Sequence, residues 1–137
     1  MPTYPQAAAL LRFPTDWTSH TVLIDQRSLS IGEGGVVRYV LVVRSPSGAE
    51  SVSFEGMRCA TGERQTYAYG RNAGDSGTWS AARNAGWTVV ADRGINRYYF
   101  EFWRDVFCDG KQVEPRRTIL ENLKRGGRER HIGIPSD

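Results

Sequence analysis

Histidine, cysteine and methionine are scarce in this chain, with two of each among 137 residues. Nucleophilic catalysis by Ser or Cys leans on a nearby base, most often His, and only His20 and His131 are present. His20 stands at the lip of a strand and His131 in a carboxyl-terminal tail, neither with a flanking pattern of catalytic type. Two His and two Cys also lack the close spacing of structural zinc ligands, so neither a metal site nor a cofactor is expected. No apolar run approaches the roughly 18 residues that a membrane span needs. Gly32-Glu33-Gly34-Gly35 is followed by no Lys-Ser or Lys-Thr pair, and a tight turn accounts for its glycines without a phosphate. Met1-Pro2-Thr3-Tyr4-Pro5-Gln6 lacks the positive start of a leader, and Ala7 to Leu11 is too short for its apolar segment. That leaves a cytoplasmic protein or a mature form without its leader.

The length suits one domain spanning 1–137. Net charge is +3, unevenly placed: the stretch from Lys111 to Arg130 holds seven bases and three acids, so the remainder is slightly acidic. An argument for an anionic partner is therefore confined to the carboxyl end.

Residues 1–17 hold three of the six prolines and no clear periodicity, which predicts an irregular arm whose Leu10, Leu11, Phe13 and Trp17 dock on the body. Thr21 to Asp25 and Ser28 to Ile31 read as strands. Val36 to Arg44, a turn at Ser45-Pro46-Ser47-Gly48 and the alternation of Ser51 to Phe54 predict a hairpin. Val40 to Val43 is apolar at both parities, so that strand is expected to be covered on both faces. Gln65 to Tyr69 and Trp87 to Ala91 read as further strands, separated by a Gly- and Asn-rich loop from Arg71 to Gly77. The period then changes. Tyr99, Phe102, Trp103 and Val106 fall at helical spacing, predicting a helix over Asn96 to Cys108 with Asn96 as its cap. A second helix is expected from Pro115 to Arg125, ended by Gly126, with residues 127–137 as a loose tail. Strands first and helices last give an α+β class: an antiparallel, strongly twisted meander with two carboxyl-terminal helices packed on it.

No catalytic residue stands out. Two carboxylates alone can carry out glycoside chemistry, and Glu55, Glu63, Asp92 and Asp105 are the candidates, against the simpler reading that each is solvated or paired with Arg. Tyr67, Tyr69, Trp79 and Trp87 are candidates for an aromatic platform under a sugar ring, although large aromatics mostly fill cores. Glu55, Arg58 and Arg64 are candidates for a charge network, which requires a bulge near Gly56 because Glu55 and Arg58 face opposite ways on a regular strand. On the second helix, Arg117, Lys124 and Arg125 are expected in water, where they solubilise the chain or touch an anionic surface. Cys59 and Cys108 lie at the ends of a strand and a helix, as a bridge or as two buried thiols.

The run Ser28-Leu29-Ser30-Ile31-Gly32-Glu33-Gly34-Gly35-Val36-Val37-Arg38-Tyr39, the segment Val42 to Glu50, the stretch Phe54-Glu55-Gly56-Met57-Arg58-Cys59 and Tyr67 to Gly70 together resemble the CNP-one-like (cryptic neisserial protein) family of proteobacterial envelope proteins. The resemblance runs from about Leu23 to Cys108. It implies an exported or lipid-anchored protein with its signal sequence removed, in the periplasm or at the outer membrane, and it carries over no catalytic or binding residue. An oxidising compartment makes a Cys59–Cys108 disulfide the expectation. The missing catalytic constellations give binding or scaffolding of another envelope component as the first expectation, ahead of catalysis. The alternative is a carbohydrate- or peptidoglycan-directed domain; nucleic acid is not an expected partner.

Overall fold

The computed structural model describes residues 1–15, 17–71, 77–83, 86–94 and 96–127. The expected tail beyond Gly127, with His131, and most of the expected loop after Arg71 lie outside them.

Ten strands and two helices are seen among the described residues: β1 Leu10–Phe13, β2 Thr21–Asp25, β3 Ser30–Ile31, β4 Val36–Arg44, β5 Glu50–Arg58, β6 Glu63–Arg71, β7 Thr78–Ala81, β8 Thr88–Val89, α1 Tyr98–Glu101, β9 Cys108–Asp109, β10 Gln112–Val113 and α2 Arg116–Lys124. The first eight strands form one antiparallel sheet in the order β1-β2-β4-β5-β6-β7, with β3 added on β4 and β8 on β6. β9 and β10 make a separate hairpin. Among the described residues no helix is long and apolar enough to cross a membrane.

Alternation along β4 sorts the sheet into two faces. Val37, Tyr39 and Leu41 point to one face, where Phe102, Val106, Phe107, Ile119 and Leu123 of the helical segments close over them. Val40 and Val42 point to the other, with Leu23 and Val52, and are covered by Tyr4 of the amino-terminal arm, flanked by Phe54 and Trp79. The double coverage expected for this strand is thus present, supplied by helices on one side and by a length of arm on the other.

The arm differs from the irregular segment expected, because Leu10 to Phe13 pairs with Asp25 to Val22 and extends the sheet. Four residues are too short a run for alternation to be read, and it is the waiting edge of β2 that orders them. β7 and the β9–β10 hairpin escape sequence reading for the same reason. The helix expected over Asn96 to Cys108 starts at Tyr98 and, after Glu101, widens into π-helical turns over Phe102–Phe107. The wider turn sets Phe102 and Phe107 five residues apart on one inward side, with ring centres 5.5 Å apart. Asn96 provides no side-chain cap. α2 agrees with expectation to within a residue at each end, and Gly126 takes φ 81° just after it.

Candidate functional site

The most concentrated polar chemistry lies under α1 and begins with an irregularity in β6. Phe54 pairs with Ala68 but Glu55 pairs with Thr66, so Tyr67 has no partner of its own. Such a bulge inverts the facing of everything before it on the strand. Ala68 and Gly70 belong to the arm face; the shift brings Thr66 and Arg64 to the helix face, opposite Glu55. Tyr67 is left on the arm side, its ring 5.2 Å from Phe54 and under the Arg38 guanidinium.

Glu55 is 2% exposed, and both carboxylate oxygens are occupied. The Tyr39 hydroxyl donates to Oε1 at 2.9 Å; the Ser53 and Tyr99 hydroxyls donate to Oε2 at 2.6 and 2.8 Å. Burial, and next the negative carboxylate, hold the Tyr39 and Tyr99 hydroxyls well above the ordinary phenol range. The Arg64 guanidinium lies 3.9 Å over the Tyr99 ring and donates to the Thr66 hydroxyl at 3.3 Å.

The structure therefore gathers Glu55 and Arg64 about Tyr99. It places Arg58 elsewhere, against Glu63 at 3.4 Å and over the Trp87 ring at 3.9 Å. The parity of a regular β5 explains this: Glu55 and Met57 face the helices, and Arg58 turns away. Tyr39, Ser53 and Tyr99 were not singled out from sequence. An acid flanked two residues away by a serine on a half-buried strand was the available signal, but the two tyrosines are brought in by tertiary pairing.

The four aromatic candidates are not brought to one surface. Trp79 lies under the arm, 5.2 Å from the Tyr4 ring, with its indole donating to the Pro2 carbonyl. Tyr67 shares that face, Trp87 is covered by Arg58, and Tyr69 is 52% exposed on the helix face.

A groove of about 370 Å³ opens between the start of the chain and the helical segment, lined in part by Arg12, Pro14, Trp17, Glu101 and Asp105. Burial raises the Glu101 carboxyl pKa, against the pull of Arg97 and Arg104 and with a smaller push from Asp105. Arg97 Nε stands 3.3 Å from Glu101 in an ion pair that lacks hydrogen-bond geometry, and Arg104 grips Asp105 through two bonds of 3.0 and 2.8 Å. Glu101, the last residue of α1, was not among the acids picked out from sequence. Of the others, Glu63 meets Arg58 and Asp92 meets Arg93. Among the described residues no cluster of three or more His, Cys, Asp or Glu is placed to hold a metal ion.

Cys59 and Cys108 form a disulfide that ties the end of β5 to the end of the helical segment. On α2, Arg117 is exposed and meets Glu121 at 3.7 Å, Lys124 is exposed, and Arg125 donates to Asn122.

The CNP1-like family model matches residues 1–124. The chain belongs to the CNP1-like family. It is also similar to cryptic neisserial protein 1 of Neisseria gonorrhoeae, at 26% identity over 117 residues that cover 78% of this chain and 58% of that protein. The match thus takes in little more than half of the relative's length. No solved structure matches the chain. The Glu55 hub and the disulfide of this CNP1-like chain fall inside the matched residues, as does all of the Glu101 groove but Gly126.

Proposed function

We propose that this chain is a non-catalytic domain of the bacterial envelope, exported to the periplasm or held at the outer membrane, that binds or scaffolds another envelope component. The observation that carries the reading is the state of its acids. Glu55 accepts three buried hydroxyls, Asp105 is gripped by Arg104, and Glu101 is paired with Arg97. Glycoside hydrolysis needs two carboxyls on opposite sides of a bond, with room for water. Glu101 and Asp105 stand four residues apart on one wall. The disulfide supports an oxidising compartment.

One observation favours a carbohydrate-directed alternative, namely Trp17 beside the raised Glu101 carboxyl in the same groove. Purified peptidoglycan and native envelope extract separate the readings. Saturable retention of the oxidised protein on an envelope fraction, with no soluble sugar released, is the expected result. Release of sugar that is lost in Glu101→Gln would overturn the non-catalytic reading. A weak contact of Arg117, Lys124 and Arg125 with an anionic surface adds to this proposal; retention on anionic vesicles should then fall with salt and with Lys124→Gln.

A further inference from the structure

Where β6 meets β7 and β8, a groove of about 150 Å³ is lined by Arg64, Thr66, Tyr69, Arg83 and Thr88 with two small residues between them. Among the described residues two guanidinium side chains line it and no carboxylate does. The groove therefore presents positive charge with donors, which an anion would complement.

Two other arginines of the fold are committed to the fold itself. Arg116 donates to the Leu29 and Gln26 carbonyls, and Arg104 holds Asp105. Arg64 and Arg83 donate to no backbone carbonyl and join no ion pair of salt-bridge distance among the described residues. Arg64 is immobilised by its stack on Tyr99 and gives one donor to Thr66. The Glu55 carboxylate, whose charge acts on Arg64, has both oxygens taken by hydroxyls, and no hydrogen bond joins it to Arg64. Arg83 is exposed and makes no ion pair among the described residues. A planar guanidinium held in place, with donors facing a groove, is suited to a carboxylate or phosphate, because little side-chain freedom is lost on binding.

The third wall fixes the class further. Tyr69 is 52% exposed and lines the groove with the two arginines, an amphipathic side chain suited to a flat apolar face next to an acid. Thr66 and Thr88 add hydroxyls for polar groups around that face, and the volume suits one ring and not a chain of them.

We propose that this groove binds an anionic monosaccharide unit, its carboxylate or phosphate between Arg64 and Arg83 and its ring face on Tyr69. The proposal rests on the reading of the chain as a binding domain and adds the ligand class and the residues that take it. The bulge at Tyr67 is what makes the site, since without it Arg64 and Thr66 would face the arm.

The test is calorimetric titration of the full, oxidised chain with glucuronate, glucose 6-phosphate, glucose and inorganic phosphate. At least one sugar anion should bind about tenfold or more tightly than both glucose and inorganic phosphate, and more weakly as salt rises. Which of the two binds tells carboxylate from phosphate. Arg83→Gln and Tyr69→Ala change exposed side chains and should each weaken binding about fivefold or more at unchanged melting temperature. Absence of saturable binding by either sugar anion, equal affinity for glucose, equal affinity for inorganic phosphate, or full affinity in both variants would each overturn the assignment. Those results leave retention on an envelope fraction untouched, so the two proposals fail separately.

Discussion

The helix face of the sheet buries a carboxylate and satisfies it, whereas the arm face buries a hydroxyl and leaves it alone. Glu55 accepts bonds from Tyr39, Ser53 and Tyr99, each donor standing on a strand or helix held by many neighbours. The Tyr4 hydroxyl on the other face is buried without a hydrogen-bond partner among the described residues. Its ring is fitted against Gly70 and Gly77, where any β-carbon would collide with it. The contrast shows what regular elements and a cross-link add. A covered face becomes a polar-satisfied core only where the covering groups are held in register; a stretch of arm with prolines on either side supplies a ring to exclude water, and its polar atom is carried along.

The comparison breaks most completely if the cross-link is removed. The disulfide closes a sequence separation of 49 residues, which is worth about 4 kcal/mol by loop entropy. A Cys59→Ala, Cys108→Ala double variant should lose about that much in a denaturant titration. Hydrogen exchange should rise first in residues 98–107 and not on the arm face; uniform loss of protection would mean that the bridge does not anchor the helices in particular.

Next in size is the acceptor. Glu55→Leu leaves three buried hydroxyls without it and should cost about 3 kcal/mol. Adding Tyr39→Phe and Tyr99→Phe to it should recover more than half of the loss, because the orphaned groups go too. No recovery would place the cost in packing instead.

Alkaline pH tests the same hub. Tyr39 and Tyr99 have folded pKa values raised above the unfolded 10.0, so their stabilising contribution is complete below pH 10 and is lost as pH rises from there through the folded values. The unfolding free energy should fall by about 1.4 kcal/mol per pH unit for each tyrosine above pH 10. The Tyr39→Phe, Tyr99→Phe variant should show a flatter decline, and an unchanged slope would contradict the account.

The smallest effect lies on the arm face. Tyr4→Phe removes a hydroxyl that pays desolvation with no bond in return, and should leave stability unchanged or raise it by up to about 1 kcal/mol. A clear loss in thermal melts would reveal a partner for that hydroxyl and erase the difference between the faces.

Much of the frame was legible because it follows from local periodicity. β2 and β4 appear with the bounds read from alternation, and Val40 to Val43 announced its two covers by being apolar at both parities. Ile119 and Leu123 are buried on α2 as their spacing required, with Leu120 partly so. The short edge strands were not legible, since four residues such as Leu10 to Phe13 carry too little pattern and take their shape from β2.

The candidate sites divide along the same line. The family resemblance, joined to two cysteines at element ends, pointed to the bridge that the structure contains, and composition left only two histidines to weigh. Neither could show that Tyr39 and Tyr99 meet Glu55, residues 16 and 44 positions away. The partner of a buried charge is chosen by long-range packing, and one unpaired residue, Tyr67, decides which face Arg64 and Thr66 reach. Sequence alone determined β2, β4, the second helix and their apolar faces, because those depend on neighbours along the chain. Only tertiary structure decided which polar side chains converge, because a bulge or a π-helical turn changes facing by one residue, and no local pattern records it.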